Sequence, residues 1–277
     1  MARKQNAESV PRSRNWGAVF RHVTVAAGIL ALAVLGLYVY YRVDQFLATD
    51  PRFRLKDTAE SGQDSGIRIE GVAHASRARV LAMFAADTGR SVYLVPLRER
   101  RLQLLGIDWV GEASVSRLWP DRLIVRIKER TPVAFVQLPA GERGAVHRAA
   151  LIDADGVILE QPERATFELP VLSGIRRSQS RAVRAARVQS AMRLVQDIGG
   201  LAAEVSEIDV SDTDNLKVVQ QIGGEAVVLW LGDRNFLSRL QNFRGHYEEI
   251  RRRLAQAKAF DLRLDDRITA MGAGSGS

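Results

Sequence analysis

One uncharged stretch, from Val23 to Tyr41, separates a short polar segment from a long one that has the alternations of folded structure. As a helix rising about 1.5 Å per residue, this stretch reaches about 28 Å, close to the hydrocarbon thickness of a bilayer. Aromatic residues, which favour the headgroup layers, flank it at both ends. A cleaved signal peptide has a shorter apolar region and a small-residue cleavage site, which residues 38–42 do not offer. The pattern therefore predicts a retained transmembrane helix at 23–41.

Basic residues are concentrated before the apolar stretch. Residues 1–22 contain five basic residues and one acid, whereas Arg42 on the far side is followed by Asp44 and Asp50. Positive charge stays on the cytoplasmic side, so we expect the amino terminus inside and the bulk of the chain outside. Residues 42–66, with many small and polar residues, are expected to form a linker.

Beyond the linker, a first group of elements is predicted in the order β-α-α-β-β. Ile67 to Val72 alternates apolar and polar residues, as a half-buried strand does, and Ser76 can cap the helix that follows. The second helix should turn Leu97, Leu102 and Leu105 inward. The predicted elements are a strand at 67–72, helices at 76–87 and from 96 to about 105, and strands at 107–118 and 123–128.

From Thr131 onward the pattern predicts mainly strands, with two helices among them. Val183 should face inward on the first helix, and Asp233 should cap the second, whose apolar stripe extends to Leu254. The strands are expected at 133–136, in a hairpin over 151–159 that turns at Asp155-Gly156, and at 205–210, 216–222, 226–231, 260–264 and 267–271, and the helices at 180–198 and 233–257.

The last two predicted strands combine alternation with an open edge. Phe260, Leu262 and Leu264 should point one way, while Asp261, Arg263 and Asp265 form an acid–base–acid row on the wet face. A terminal strand at 267–271 would leave unpaired backbone groups, which invite an added strand from a partner. Arg263 could fork onto a partner carboxylate or pair with its own neighbours, and both interpretations stay open.

Composition and motifs argue against catalysis. The chain has no cysteine, which excludes disulfides and thiolate chemistry. The net charge is +8, about half of it in residues 1–22, so nucleic-acid binding is not favoured. The four histidines, His22, His74, His147 and His246, have no metal-ligand spacing, and Asp153-x-Asp155-Gly156 is better explained as a hairpin turn than as a calcium loop. We predict a non-enzymatic protein without cofactor or metal, although paired carboxylates of a cell-wall hydrolase remain an alternative.

Several strings together resemble one family, the cell-division proteins FtsQ/DivIB with their POTRA domain. They include Ile69-Glu70-Gly71-Val72, Leu105 to Val110, Ala113 to Pro120, Leu123 to Ala134, Leu151 to Gly156, Leu169 to Gly174, Ile208 to Ser211 and Phe260 to Ile268. The resemblance implies an α+β protein with a single transmembrane helix, a POTRA domain at 67–131, a β-domain of mainly antiparallel strands with two helices at 132–271, and a flexible tail at 272–277.

The resemblance also implies a membrane scaffold of the bacterial divisome, concentrated at the division septum of the inner membrane with its bulk in the periplasm. Its last strands would bind FtsB in complex with FtsL, and so regulate septal wall synthesis by FtsW and FtsI. Contacts with FtsW, FtsI and FtsK could involve the span and the POTRA domain. The expected partner-binding residues are Arg263, Leu264, Asp265, Asp266, Arg267, Ile268, Thr269, Ala270 and Met271.

The sequence leaves two points open. Ile268 and Ala270 could belong to the hydrophobic core or could line the interface with the partner. A POTRA domain also occurs in export and outer-membrane assembly machines, which is the alternative function. Trp109 and Trp119 are expected to pack rather than to stack on a ligand.

Overall fold

The computed structural model describes residues 16–56, 66–138, 149–162 and 165–271, with side chains from Phe20 onward. Most of the predicted cytoplasmic tail, linker positions 57–65, His147 and the predicted flexible tail at 272–277 lie outside the described residues. The described chain forms two compact units. The first unit holds residues up to 67 together with 86–96 and 117–123, and the second holds 68–85, 97–116 and the chain from Ile124 onward.

A long apolar helix dominates the first unit. Helix α1 runs from Trp16 to Thr49, and its segment Phe20–Thr49 is long and apolar enough to cross a membrane. The helix therefore continues through residues 42–49, which the sequence pattern assigned to a linker. It stops before Pro51, and the Asp50 carboxylate then accepts the Arg52 N–H (2.9 Å) at the start of a 3-10 turn at Pro51–Phe53. Among the described residues, this is the one helix whose length and composition fit a membrane span.

The predicted β-α-α-β-β order is confirmed. The elements are β1 (Ile67–Glu70), α2 (Arg77–Ala82), α3 (Leu97–Leu104), β2 (Val110–Leu118) and β3 (Arg122–Glu129), and the three strands form a sheet in the order β1-β3-β2. Two predictions need correction. The first helix ends at Ala82 and gives way to a 3-10 turn at Ala85–Asp87. Leu102 is 58% exposed because the buried position of α3 is Leu104 instead.

The rest of the chain builds a nine-stranded sheet with two helices. The elements are β4 (Pro132–Gln137), β5 (Ala149–Asp153), β6 (Ile158–Leu159), β7 (Val171–Ser173), α4 (Arg181–Ile198), β8 (Val205–Asp209), β9 (Leu216–Ile222), β10 (Glu225–Gly232), α5 (Phe236–Arg253), β11 (Ala259–Asp261) and β12 (Thr269–Ala270). The strand order is β12-β11-β10-β9-β8-β7-β4-β5-β6. Five neighbouring pairs are antiparallel and three are parallel, so the sheet is mainly antiparallel as predicted.

Both helices serve as crossovers between parallel strands. Helix α4 connects β7 to β8, and α5 connects β10 to β11, because parallel neighbours need a long connection to return to the same end of the sheet. Buried residues of the two helices, such as Leu194 and Phe243, share one core with the sheet. Val183 and Leu254 are 44% and 47% exposed, contrary to prediction, and α5 starts after Asn235 rather than at an Asp233 cap.

Within the second unit, the β6 end of the sheet is tied to the β-α-α-β-β region. The Trp109 indole N–H donates to the Glu160 carbonyl (2.8 Å), and Trp109 packs in one core cluster with Leu151 and Leu159. The Arg130 guanidinium donates to the buried Asp153 carboxylate (2.7 Å). The other Asp153 oxygen accepts the Val157 N–H (2.7 Å), which confirms that this segment is a hairpin turn.

Candidate functional site at the carboxyl-terminal sheet edge

The last two strands form one edge of the nine-stranded sheet. Crossover helix α5 returns the chain beside β10, so β11 pairs in parallel with it, with Trp230 opposite Asp261. The chain then turns at 264–266 and comes back as β12, antiparallel to β11, with Phe260 opposite Ala270 and Asp261 opposite Thr269. The edge strand is therefore shorter than the predicted 267–271.

The outer side of β12 is open among the described strands. The Met271 N–H points inward and donates to the Ala259 carbonyl (2.8 Å). Backbone groups alternate in direction along an antiparallel strand, so the N–H and carbonyl of Ala270 point away from β11. No described strand lies beyond β12 in the sheet order. Ala270 therefore offers one donor and one acceptor to an added strand.

Apolar side chains fix this edge on the main core. Phe260 and Leu262 are each 2% exposed, and the Phe260 ring lies 5.1 Å from the Phe243 ring of α5. Ile268 and Ala270 are half-buried and pack against the same core, so these side chains help to hold the strand. Leu264 is 50% exposed, contrary to the predicted alternation, because the strand ends at Asp261 and the chain turns at Leu264.

A cross-strand row leads along one face of the sheet to this edge. The strand register aligns Asp209, Lys217, Trp230, Asp261 and Thr269 on five successive strands. The Lys217 ammonium lies 3.3 Å from the Asp209 carboxylate and 4.7 Å from the centre of the Trp230 ring. Burial raises the pKa of Asp209, but hydrogen bonds from Ser211 and the Lys217 charge outweigh it and leave that pKa lowered. The row is thus a set of paired charges around one tryptophan.

Arg263 continues this row and has an internal partner. Its Nε and Nη2 atoms donate to the two oxygens of Asp261 at 2.9 and 2.6 Å. The guanidinium also lies over the Trp230 ring, 5.0 Å from its centre. The hydrogen bond from Arg263 lowers the pKa of Asp261, and the same bond raises the pKa of Arg263. The sequence left open whether Arg263 binds a partner carboxylate or pairs with its own neighbours. In the structure it pairs with its neighbour Asp261.

Arg239 is a residue of this edge that the sequence pattern missed. This side chain of α5 is 7% exposed, and it donates to the Leu231 carbonyl (2.6 Å), the Arg263 carbonyl (2.8 Å) and the Asp265 carboxylate (2.9 Å). It therefore joins the end of β10 to the turn between β11 and β12. Its position was a usable signal, because it falls three residues after Phe236 on the buried stripe of the helix.

The remaining predicted site residues lie around the turn. Asp265, Asp266 and Arg267 have side chains 66%, 80% and 66% exposed, and the last two lie 4.0 Å apart. Thr269 is exposed and Met271 is half-buried. A pocket of about 360 Å³ opens beside the turn, lined by Ser238, Arg239, Asn242, Leu262, Leu264, Asp265 and Ile268. The site thus combines an open backbone, exposed charges and a small pocket.

The described residues give no indication of a metal centre. Within the described ranges, no group of three or more His, Asp or Glu side chains is arranged to hold a metal ion. His74 lies beside aromatic rings instead, with its ring centre 5.0 Å from that of Trp109 and 5.6 Å from that of Phe167.

Comparison with known proteins identifies two regions. Residues 64–130 match the family model of the FtsQ-type POTRA domain, and residues 143–263 match that of the carboxyl-terminal region of cell division protein FtsQ/DivIB. The chain is 33% identical over 250 residues to the cell division protein FtsQ of Koribacter versatilis, which covers 86% of this chain and 68% of the relative. It is 24% identical over 251 residues to FtsQ of Syntrophotalea carbinolica, with 87% and 82% covered. It is 31% identical over 207 residues to FtsQ of Novosphingobium aromaticivorans, with 74% and 59% covered.

Proposed function

Because the chain belongs to the FtsQ/DivIB family of bacterial cell-division proteins, we propose that it is a non-enzymatic membrane scaffold that captures FtsB, in complex with FtsL, on the outer side of β12. The observation that carries this proposal is the position of β12 as the terminal strand of its sheet, with no described strand beyond it. An extended segment could add there through main-chain hydrogen bonds, as in other strand-addition complexes.

The surroundings of β12 provide the selectivity that main-chain bonding lacks. Asp265, Asp266 and Arg267 offer exposed charges of both signs within a few residues of the open backbone. The neighbouring pocket, whose accessible wall is mostly polar and includes Ser238, Arg239 and Asn242, can receive a polar side chain of the partner. Arg263 can reach a partner carboxylate through Nη1, while its other nitrogens stay on Asp261. We therefore retain residues 263–271 as the proposed partner-binding set.

The domain division and the topology belong to the same proposal. Strand β3 of the three-stranded sheet ends at Glu129 and β4 of the nine-stranded sheet starts at Pro132, which supports a POTRA domain at 67–131 and a β-domain at 132–271. The charge asymmetry around α1 supports an amino terminus in the cytoplasm and a periplasmic bulk. On this proposal the protein gathers at the septum and acts on FtsW and FtsI through the captured complex, with FtsK as a further contact.

The test is to remove the outward donor of Ala270 from the full-length chain. Ala270→Pro should lower capture of purified FtsB–FtsL complex about tenfold, the equivalent of about 1.4 kcal/mol. Proline is tolerated in an edge strand when its missing N–H faced outward, so the fold should persist. Ala270→Ser keeps the N–H and serves as the matched control, with capture close to that of the parent chain. Equal capture by the two variants would show that this edge is not the docking surface.

A further inference from the structure

Several large apolar side chains of the first unit are exposed close to the end of α1. Phe46, Leu94, Leu118 and Trp119 are 47%, 45%, 37% and 49% exposed. Single exposed apolar residues are ordinary on a protein surface, but a group of them marks a surface that contacts something other than water. If α1 crosses a bilayer, its contacts with this group give the height of the group relative to the membrane.

Two side-chain hydrogen bonds fix that height. The Tyr93 hydroxyl donates to the Asp44 carboxylate (2.9 Å), and the Ser91 hydroxyl donates to the Leu47 carbonyl (2.6 Å). At 1.5 Å per residue, Asp44 and Leu47 lie about 4.5 and 9 Å along α1 from Tyr41, the last residue of the uncharged stretch. The headgroup layer extends about 5–8 Å beyond the hydrocarbon on each side. The turn at 91–94 is therefore attached to α1 at two heights, one within the headgroup layer and one just beyond it.

The exposed apolar residues are held near this turn. The Arg117 guanidinium donates to the carbonyls of Val92, Tyr93 and Val95 at 2.6, 2.8 and 2.9 Å, which fastens the end of β2 to the turn that carries Leu94. Leu118 and Trp119 follow directly in the chain.

Aromatic contacts give Trp119 a second connection to α1. The Phe46 and Phe53 rings meet edge to face with centres 5.6 Å apart, and Phe53 meets Trp119 in the same way at 5.6 Å. The Trp119 ring is thus linked to the last turns of the helix on one side and exposed on the other.

Basic side chains lie beside Phe46 of the apolar group. A pocket of about 780 Å³ has Phe46, Phe53, Leu55 and Pro120 in its wall together with Arg52, Arg54 and Lys56. Arg52 pairs with Asp50, and Lys56 pairs with Asp121. Arg42 and Arg54 are exposed, and neither lies within 4 Å of an acid among the residues that the structure describes. Apolar contact area beside unpaired guanidinium groups is the chemistry that recognises an anionic phospholipid.

We propose that this face of the first unit is seated on the leaflet through which α1 leaves the membrane. Leu94, Leu118 and Trp119 enter the headgroup layer, and Arg42 and Arg54 contact lipid phosphates. The occupant is the phospholipid around the span, in particular anionic phosphatidylglycerol. This contact would limit how far the folded residues of the first unit can tilt away from the membrane. The lipid contact depends on α1 crossing a bilayer but not on capture of FtsB. The proposed lipid contact and the proposed capture of FtsB at β12 can therefore fail independently.

The absence of cysteine makes a direct test possible. Single-cysteine variants Leu94→Cys and Trp119→Cys of the full-length chain, labelled with a nitroxide in nanodiscs of phosphatidylethanolamine and phosphatidylglycerol, report contact with lipid. At both positions, the ratio of nitroxide collisions with oxygen to collisions with a water-soluble nickel chelate should be at least threefold higher than at Leu102→Cys. Leu102 is the matched exposed control in the second unit. If both positions give the same oxygen-to-nickel collision ratio as the control, the proposal is overturned. That conclusion holds even if another protein, rather than lipid, covers this face in the cell.

A second measurement tests the phosphate contacts. The double variant Arg42→Gln and Arg54→Gln, purified from mixed bilayers, should retain at most half of the phosphatidylglycerol bound by the parent chain. Arg98→Gln, which removes an exposed arginine of α3, should retain all of it. Equal retention by the double variant and by Arg98→Gln would overturn the assignment of the two arginines to lipid phosphates.

Discussion

The nine-stranded sheet has two edges of equal length and opposite character. Both edge strands, β6 and β12, contain only two residues. At β6, both side chains are buried, and Trp109 of the preceding region bonds to the next carbonyl, that of Glu160. At β12, Thr269 is exposed and the outer backbone groups of Ala270 have no strand beside them among the described residues. One edge is covered from within the chain, and the other is open.

This difference shows how a sheet can expose one edge without pairing indiscriminately. Open strand edges are a hazard because any extended chain can add to them, and proteins limit the hazard with short strands and nearby charges. The turn before β12 supplies such charges in Asp265, Asp266 and Arg267. A partner must therefore match both the short open backbone and the charges beside it. The β6 edge needs no such protection because apolar packing covers it.

The largest expected effect comes from opening the covered edge with Trp109→Ala. Trp109 is 5% exposed and its indole N–H holds the Glu160 carbonyl, so its loss leaves a cavity and an unpaired acceptor. We expect a loss of about 3–5 kcal/mol in the free energy of unfolding, measured by denaturant titration. Trp119→Ala is the control, because that ring is 49% exposed and should cost less than about 1 kcal/mol in unfolding. Similar losses of unfolding free energy in Trp109→Ala and Trp119→Ala would contradict the conclusion that Trp109 covers the β6 edge.

Arg239→Met should weaken the attachment of the open β12 edge to helix α5. The change removes three hydrogen bonds and leaves the carbonyls of Leu231 and Arg263 without their donor. Loss of such charge-assisted bonds should cost about 2–3 kcal/mol of unfolding free energy and should also lower capture of FtsB–FtsL, because the turn before β12 loses its support. Arg244→Met removes an exposed pair with Glu204 and should change neither quantity measurably. Normal capture by Arg239→Met would show that the edge does not depend on this anchor.

Arg239 also illustrates what the sequence pattern could and could not provide. Alternation and capping residues identified the β-α-α-β-β order and the position of the last strands, because these signals are local. Parallel pairing of β10 with β11 depends on the path of α5, and no residue within either strand encodes it. The three-residue strand β7 was not predicted, since it is too short for alternation to be read. Leu264 was predicted inward only because the alternation was continued past the end of β11.

Hydrogen exchange can sharpen the comparison at single amides. The Ala270 amide points outward, whereas the Met271 amide is bonded to the Ala259 carbonyl. In the free protein, Ala270 should exchange at least tenfold faster than Met271, and binding of FtsB–FtsL should slow it about tenfold, equivalent to about 1.4 kcal/mol. The amides of Ile158 and Leu159 at the covered edge serve as the internal control and should not change. Protection at β6 without protection at Ala270 would reverse the assignment of the two edges.

The smallest expected effect concerns the pair that faces solvent beside the open edge. The hydrogen bond from Arg263 lowers the folded-state pKa of Asp261 below its unfolded value of about 3.9. A lowered carboxyl pKa stabilises the fold above the unfolded value, and this contribution is lost as the pH falls through the folded value. Because the Arg263 side chain is 42% exposed, solvent screening keeps the contribution below about 1 kcal/mol.

Asp261→Asn tests this sign directly through unfolding titrations at a series of pH values. The parent chain should be more stable than the variant by a constant amount from neutral pH to about pH 5. The difference should then shrink as the pH is lowered further, because the parent loses the charge that the variant never had. Asp266→Asn, which removes an 80% exposed carboxylate 4.0 Å from Arg267, should show no comparable difference. A difference for Asp261→Asn that persists at pH 2 would mean that packing of the side chain, and not its charge, stabilises this corner of the open edge.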